Sequence, residues 1–296
     1  MLIKNIPLSF ILNKIKYEMI YVTIIGMLAY TVTRWFENVI PPLPIAIPAF
    51  LGTAISVILS FKLNQSYDRW WEARKIWGSI VNDSRNLTLQ LQSFLPEGDL
   101  SAIKTIVYRQ IAWCYALGRS LRGLDPLAGL QSYLTQEDMT KVLVHQNKPL
   151  GIMQLNVSDI ARLRQAEKLD TFDHIQVNNT IVSLTNSMGM AERIKSTVFP
   201  ATYRLFLRFF IFLFVVALSI SLSGVESYFE IPLLLIISSV FFLLEKTATH
   251  LQDPFSNKPT DTAMTSIANT IEINLKQLIG EKNVPSPQPP DKFFIL

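Results

Sequence analysis

The stretch that decides the fold is residues 61–74, FKLNQSYDRWWEAR, which directly follows an uncharged apolar run at residues 43–60. Within it Arg69 stands beside two tryptophans, Trp70 and Trp71. Tryptophan favours the headgroup layer because one end of its ring system is apolar and the other polar, and arginine marks the cytoplasmic side of a membrane. The stretch therefore predicts a helix that leaves the bilayer through an interface motif, Arg69-Trp70-Trp71, and continues into water.

The composition is that of a membrane protein rather than of an ordinary soluble domain. Of the 296 residues, 49% are hydrophobic, and the mean hydropathy is positive. About 20 predominantly apolar residues are needed to cross the hydrocarbon core as a helix. Four runs are candidates, at residues 17–36, 43–61, 205–222 and 231–244. The sequence therefore predicts four transmembrane helices.

The charges next to these runs predict their orientation. Lysine and arginine flank the N-terminal end of the first run, the long middle segment and the end of the fourth run: Lys4, Lys14, Lys16, Lys62, Arg69, Arg74, Lys75, Arg204, Arg208 and Lys246. The short connections at residues 37–42 and 223–230 contain Glu37, Glu226 and Glu230 and no lysine or arginine. The positive-inside rule places both termini and the middle segment in the cytoplasm, with Arg34 as the one exception.

The rest of the chain is predicted to be helical, without a β-hairpin signal. Proline, glycine and asparagine predict breaks at residues 95–99, 123–126 and 145–149, and Ser101 is the predicted N-cap after the first break. The expected fold class is all-α, with a helical cytosolic domain beside the spans. Four consecutive segments are expected: 1–61 (an N-terminal arm and the first span pair), 62–203 (the cytosolic domain), 204–250 (the second span pair) and 251–296 (a C-terminal helix and a proline-rich tail).

Several classes of function lack their sequence signatures. Neither a phosphate-binding loop nor a hydrolase or zinc-protease motif is present, and the three histidines are far apart in the sequence. A single cysteine, Cys114, cannot form an intrachain disulfide. The net charge of +4 follows from the cytoplasmic flanks, and no run of basic residues suggests nucleic acid. We therefore expect neither an enzyme nor a bound metal or cofactor.

The second span has two neighbouring faces. Gly52, Ser56 and Ser60 repeat every four residues, the pattern of small residues that lets membrane helices approach closely. Thr53, Val57 and Phe61 form the adjacent stripe, one residue further along. On spacing alone, all six residues are compatible with ordinary packing between helices.

The sequence resembles the bestrophin family of pentameric ion channels. The resemblance runs from about residue 10 to residue 280, with its most specific landmarks at residues 66–74, 192–203 and 253–255. It implies a homopentamer whose second span lines a central pore. The positions that match the family's hydrophobic neck are Thr53, Val57 and Phe61, which would face the axis if the small face packed against a neighbouring subunit. Threonine departs from the apolar residue usual at that position, and a ring of hydroxyls would admit water more easily.

The resemblance also implies a second constriction, in the cytosolic part of the pore, near Ile175. Asp170 and Asp173 lie within about one and a half helical turns of that position. Repeated around a ring, they would attract cations and repel anions. Glu37, Glu226 and Glu230 would act in the same way at the outer mouth. A solvated helix face with an N-cap aspartate is the alternative explanation for the two aspartates.

The segment after the fourth span indicates whether the chain has a calcium-binding site. Asp253-Pro254-Phe255 matches the turn that opens an acidic, calcium-binding run in animal bestrophins. Here the residues that follow provide only Asp261, with Lys258 between the two aspartates. Because calcium takes roughly six to eight oxygen ligands, this departure predicts calcium independence and resembles the bacterial members.

The resulting expectation is a multi-pass channel of the bacterial inner (plasma) membrane that passes monovalent ions, preferably sodium or potassium. Its partners would be the lipid bilayer, the permeating ions and further copies of itself. A chloride channel of the same fold is one alternative. A non-conducting membrane scaffold or accessory subunit is another, and it would give no current in a planar bilayer.

Overall fold

The structure is a computed structural model and describes residues 7–36, 43–197, 200–222, 229–290 and 293–295. Within these residues the chain forms nine α-helices and one short 3-10 helix, Glu97–Asp99. The α-helices are α1 (Leu8–Trp35), α2 (Ala46–Phe94), α3 (Leu100–Leu121), α4 (Gln136–Leu143), α5 (Lys148–Gln165), α6 (Thr171–Ser196), α7 (Ala201–Leu222), α8 (Glu230–Gln252) and α9 (Met264–Leu278). The predicted all-α class is confirmed.

Four helices are long and apolar enough to cross a membrane: Ser9–Trp35, Ala46–Phe94, Thr202–Leu222 and Glu230–Gln252. Each of them overlaps one of the four predicted runs. The predicted N-terminal arm is wrong in part. Helix α1 begins at Leu8 and is continuous with the first span, so the residues from Leu8 onward do not form a separate arm. The second of these helices is the longest, with 49 residues. At about 1.5 Å per residue, its length is more than twice the roughly 30 Å thickness of the hydrocarbon core. Continuation of this helix beyond the apolar run is therefore confirmed.

Local capping explains where several helices begin. At α4, the Thr135 hydroxyl accepts a hydrogen bond from the Asp138 N–H, and the Asp138 carboxylate accepts one from the Thr135 N–H, a reciprocal capping box. At α5, the Asn147 side chain accepts from the Leu150 N–H, and a proline occupies the first turn. The breaks predicted at residues 123–126 and 145–149 are confirmed, because the first lies between α3 and α4 and the second between the end of α4 and the start of α5.

One local expectation is wrong. Ser101 is not an N-cap, because α3 begins one residue earlier, at Leu100, with Asp99 before it. The polar stretch from residue 157 to residue 195 contains parts of two helices, because α5 ends at Gln165 and α6 begins at Thr171. Between them Glu167 adopts a φ of 57°, the left-handed conformation that ends a helix.

The chain is divided into two compact units, each with its own packing. The spanning unit contains Lys4–Trp70 and Val198–Asp253, and the large unit contains Trp71–Thr197 and Pro254–Leu296. Helix α2 contributes residues to both. The C-terminal segment therefore belongs to the same unit as the middle segment, rather than forming a separate one. The finer division into four segments stays a prediction.

The spanning unit is held together by apolar and aromatic packing. Helix α1 packs against α7 and α8, which also pack against each other. Ile55 and Leu59 of α2 belong to the same buried cluster as Ile211 of α7 and Phe242 of α8.

The large unit has a core of its own around α3, which packs against α5, α6 and α9. Trp77 and Trp113 are fully buried there with Ile271 of α9. One buried cation sits at the edge of this core. Arg109 forms a salt bridge of 2.8 Å with Asp138 and a second one with Asp159.

The hydrogen bonds and charge of the two carboxylates raise the pKa of Arg109 although burial opposes this. Burial by itself would raise the pKa of Asp138, but the Arg109 guanidinium holds it below its ordinary value. The network therefore stabilises the charged forms of both groups and ties α3 to α4 and α5.

Candidate ion-conduction pathway

The predicted neck residues share an exposed face of α2. The exposed fractions of Val57 and Phe61 are 52% and 63%, and Thr53 is exposed as well. Ile55 and Leu59, on the opposite side of the same turns, are 1% and 3% exposed. Burying an apolar side chain of this size is ordinarily favourable by about 1.5–3 kcal/mol relative to leaving it in water. An apolar stripe that its own chain leaves uncovered is therefore available to lipid, to another subunit or to a pore.

The small residues beside this stripe do not form one interface. A Cβ atom added to Gly52 would lie 3.2 Å from Phe214 and 3.7 Å from Phe241, both in the same chain. Gly52 therefore lets α2 approach α7 and α8 within one subunit, so the condition that the whole small face packs against a neighbouring subunit is not met at Gly52. Ser56 and Ser60 are exposed.

The exposed stripe continues in both directions beyond the predicted neck. Phe50 lies on the same face one turn before Thr53 and is exposed. On the other side, Asn64 and Asp68 occupy the same face and are exposed. The face thus changes from apolar to polar, with the carboxylate of Asp68 about 10 Å along the helix from Phe61. Sequence analysis missed Phe50 and Asp68 as pore candidates, although extending the three- and four-residue spacing would have found both.

The interface motif has mixed exposure. Arg69 and Trp70 are half-buried and Trp71 is exposed. The rings of Tyr67 and Trp70 lie 6.0 Å apart in a tilted arrangement. Ser66, one turn before Trp70, is buried. The motif as a membrane interface stays a prediction.

The predicted cytosolic aperture lies at the start of α6. Ile175 is half exposed, and Phe172, which the sequence analysis did not single out, is more exposed still. Asp170 is the N-cap of this helix, and its carboxylate accepts hydrogen bonds from the Phe172 N–H and, at 3.3 Å, from the Asp173 N–H. The N-cap explanation for Asp170 is therefore correct. It leaves the charge of Asp170 in place at an exposed helix end.

A positively charged residue, Arg164, lies near the acidic start of α6. The Arg164 guanidinium donates a hydrogen bond of 2.8 Å to the Thr171 hydroxyl, next to Asp170. Arg164, Asp170 and Phe172 line the same open, shallow depression. An opposite charge on the same depression weakens the field of Asp170 on a passing ion relative to what a count of carboxylates suggests.

Of the three glutamates predicted at the acidic outer mouth, Glu230 lies within the described residues. Glu37 and Glu226 lie outside the described residues. Glu230 is buried at 4% exposure in the first turn of α8, which corrects the expectation that it faces an open mouth. Its Oε1 atom has no hydrogen-bond partner within the described part of the chain.

A buried ionic cluster in the spanning unit was missed by the sequence analysis. The Lys62 ammonium donates to Glu245 Oε1 at 3.3 Å and to Thr249 Oγ1 at 3.1 Å. Arg208 Nε lies 3.6 Å from the same Glu245 oxygen. Glu245 is completely buried, so it does not serve as an exposed anchor at the end of the fourth span. The available signal was a pair of opposite charges at the ends of two predicted spans.

The turn after the fourth span offers little to calcium. Asp261 is buried, and its Oδ2 atom accepts a hydrogen bond of 3.1 Å from the Lys258 N–H. Burial raises the pKa of Asp261 above its ordinary value, and the backbone donors oppose this. Within the described ranges, no group of three or more histidine, cysteine, aspartate or glutamate residues is placed to hold a metal ion.

Comparison with known proteins identifies the class of molecule to which this architecture belongs. The family model described as "Bacterial/Fungal Bestrophin protein" matches residues 3–277. The chain is 29% identical over 287 residues to the Salmonella typhi "Voltage-dependent anion channel-forming protein YneE", covering 97% of this chain and 93% of the relative. It is 31% identical over 239 residues to a Ralstonia nicotianae protein named in the same way, covering 80% and 78% respectively.

A solved structure shares the fold. The crystal structure of a bacterial bestrophin homologue from Klebsiella pneumoniae superimposes with a TM-score of 0.86 at 30% sequence identity, covering 91% of this chain and 100% of that one. Bestrophins are ion channels and not enzymes. The resemblance seen at residues 66–74 is thereby confirmed, and the chain belongs to the bacterial and fungal bestrophin family of ion channels.

Proposed function

We propose that this chain forms a homopentameric channel of the bacterial inner membrane, with both termini in the cytoplasm, that passes monovalent ions through a central pore. The observation that carries the proposal is the exposed stripe of Thr53, Val57 and Phe61 on α2, in a chain of the bestrophin family. Around a fivefold axis, each position becomes a ring of side chains. Apolar rings of this kind can gate a pore by excluding water.

A double alanine substitution tests the neck. Val57→Ala with Phe61→Ala widens two levels of the constriction, so single-channel current in planar bilayers should rise. The control is Val240→Ala with Phe206→Ala, which removes similarly exposed side chains from α8 and α7. Unchanged current in the first variant, with pentamer assembly intact, would contradict the neck assignment. A protein that gives no current at all would instead support the scaffold alternative.

For ion preference, anions are our first candidate. The curated relatives of this chain carry names that describe anion channels. The negative charge exposed at the two proposed mouths of the pore is smaller than the sequence predicts, which agrees with anion passage. Glu230 is buried and Arg164 lies beside Asp170, so two of the carboxylates expected to favour sodium or potassium are withdrawn or offset.

Cation passage is the second candidate, and a specific observation favours it. Asp68 lies on the same exposed face of α2 as Phe61, where five copies would surround the pore with negative charge. Asp173 would add a second ring near Ile175. Exposed charges are screened within about 8 Å at physiological ionic strength, so both rings would act most strongly in dilute salt.

Reversal potentials under asymmetric NaCl distinguish the two candidates by sign. In a cation channel, Asp68→Asn should move the reversal potential towards that of chloride, whereas Asp253→Asn, an exposed aspartate outside the stripe, should not. Asp170→Asn with Asp173→Asn tests the lower ring in the same way, and Ile175→Ala should change mainly the conductance. In an anion channel, the wild type already reverses near the chloride potential.

Calcium independence belongs to the same proposal. Currents should be equal in a chelator and in micromolar calcium. A reversible calcium dependence that Asp253→Asn or Asp261→Asn abolishes would contradict it.

A further inference from the structure

A cavity in the large unit has the features of a binding site that the conduction pathway does not use. It has a volume of about 260 Å³ and lies between the C-terminal half of α3, the connection that follows it and the start of α9. Its lining is mostly apolar, from Leu124, Leu130 and Ala268, but includes the arginines Arg119 and Arg122. A concave apolar surface with a few convergent polar groups is the usual form of a small-molecule site.

Arg122 is the residue that indicates the chemistry of a ligand. Its Nη1 atom donates a hydrogen bond of 2.5 Å to the Thr265 hydroxyl. Its Nε and Nη2 atoms have no hydrogen-bond partner among the residues that the structure describes and are covered from the cavity as well, so a ligand reaches them when the Arg122 side chain turns towards it. Nε and Nη2 are two of the donors that a guanidinium uses to hold a carboxylate or phosphate through two parallel bonds.

The charges near Arg122 do not neutralise it. Asp261 carries the opposite charge and attracts it, but no salt bridge joins the two in the described part of the chain, and Arg119 adds a like charge. Burial lowers the pKa of Arg122 in spite of Asp261, so the cation is desolvated without full compensation. Arg119 Nε donates to the Asp125 carbonyl at 2.6 Å. Thus no carboxylate pairs with either guanidinium within the described residues.

Two further features favour an anion with an apolar body. Helix α9 begins at Met264 without a side-chain cap, so the positive end of its dipole lies at the cavity wall. The rings of Tyr115 and Tyr133 also line the cavity, stacked with centroids 6.0 Å apart. Their hydroxyls already donate to Glu272, which leaves ring surface rather than hydroxyl hydrogens for a ligand.

We propose that this cavity binds a small organic anion, whose carboxylate or phosphate pairs with Arg122 while a compact, preferably aromatic, body packs among the apolar and tyrosine side chains. The volume is below the usual range of pockets for drug-sized molecules, which begins at about 300 Å³. A ligand the size of a substituted benzene is therefore the appropriate probe. The proposal concerns a binding site and is independent of the ion that the channel passes.

Binding can be measured on the full-length protein in detergent by calorimetry and thermal unfolding. The probes are phenyl phosphate and benzoate, with benzyl alcohol as the uncharged counterpart and inorganic phosphate as the bare oxyanion. We expect saturable binding of at least one charged aromatic probe, a raised Tm, and at least tenfold weaker binding of the other two compounds. Absence of saturable binding by both aromatic anions would overturn the proposal. Equal affinity for inorganic phosphate would overturn the role of the apolar body.

Two variants locate the site. Arg122→Met should reduce affinity at least tenfold, whereas Arg162→Met, which removes an exposed arginine outside the cavity, should not. Leu124→Glu places a carboxylate at the cavity through an already exposed side chain, so it should weaken binding even if Arg122→Met fails to fold. Its control is Leu150→Glu, a similarly exposed leucine on α5. Full binding by folded Arg122→Met or by Leu124→Glu would overturn the assignment.

Discussion

Replacing Glu245 with glutamine should destabilise the spanning unit more than replacing its partner Lys62 with methionine. Both side chains are completely buried, and the Lys62 ammonium lies 3.3 Å from Glu245 Oε1. The two residues are not equivalent, however. Among the described residues, Glu245 is the only carboxylate in the cluster, and it faces two cations, since Arg208 Nε also lies within 3.6 Å of it.

The magnitude follows from what each variant leaves behind. Glu245→Gln leaves the Lys62 ammonium buried, with the Thr249 hydroxyl as a neutral partner. Removing one partner of a buried ion pair destabilises a protein by about 3–5 kcal/mol, because the remaining charge is uncompensated. Lys62→Met leaves Glu245 with both Arg208 and the Thr249 hydroxyl. We expect a smaller loss, about 1–3 kcal/mol, the range for one buried group that loses a hydrogen-bond partner.

The double variant makes the prediction sharper. Lys62→Met with Glu245→Gln removes both buried charges and leaves Arg208, which is partly exposed and can reach water. It should therefore be more stable than Glu245→Gln alone, which requires a favourable coupling free energy larger than the loss of about 1–3 kcal/mol expected for Lys62→Met. The control is Lys246→Met, which breaks a salt bridge of 2.6 Å to Glu18. Both residues keep some solvent exposure, so this loss should be smaller than that of Glu245→Gln.

The assay is SDS-induced unfolding of the purified protein in mixed micelles, followed by circular dichroism. The midpoints should rank, from most to least stable, wild type, Lys62→Met and Glu245→Gln, with the double variant above Glu245→Gln. Two results would refute the reasoning. One is equal loss in both single variants, and the other is a double variant whose loss is the sum of the two. Either would mean that the charges do not compensate each other in the folded state.

Three other residues give predictions that concern the large unit. Burial raises the pKa of Cys114 to about 12, so a maleimide should not label it at pH 8 until the protein unfolds; rapid labelling of folded protein would contradict this. Because burial raises the pKa of Asp261, the folded state binds its proton more tightly, and stability falls as the pH rises above about 4. Asp261→Asn should therefore raise Tm at neutral pH but not at acid pH; a pH-independent change would count against it. Arg109→Met should lower the unfolding free energy by about 3–5 kcal/mol, because it leaves Asp138 buried and unpaired. Arg162→Met, an exposed control, should change it by less than about 0.5 kcal/mol in urea titrations.

Much of the fold could be predicted because its determinants are local. An apolar run of spanning length and its flanking charges are both properties of consecutive residues, and so are the turns at residues 123–126 and 145–149. The division between α5 and α6 could not be predicted in this way, because no glycine or proline marks it. It depends on Glu167 in the left-handed conformation and on Asp170 as a cap, and both residues are also compatible with a helix interior.

The candidate site was predictable where it follows one helix and not where it joins several. The stripe of Thr53, Val57 and Phe61 follows from helical spacing alone. The pairing of Lys62 with Glu245 joins residues 183 positions apart, so it depends on how α2 and α8 pack. For the same reason the burial of Glu230 could not be read from its place in a short acidic connection.

The hydroxyl of Thr53 has a consequence for which ions the side chain can solvate. Its Oγ1 atom donates its hydrogen to the Ala49 carbonyl at 2.9 Å, and a hydroxyl has only one hydrogen but two lone pairs. In the proposed pore, five such oxygens would form a ring that only accepts. The ring can replace part of the water shell of sodium or potassium, but it has no hydrogen to offer chloride. In that pore Thr53 would favour cations without carrying a charge, and it would count with Asp68 on the side of cation passage, at a level where valine would be indifferent to sign.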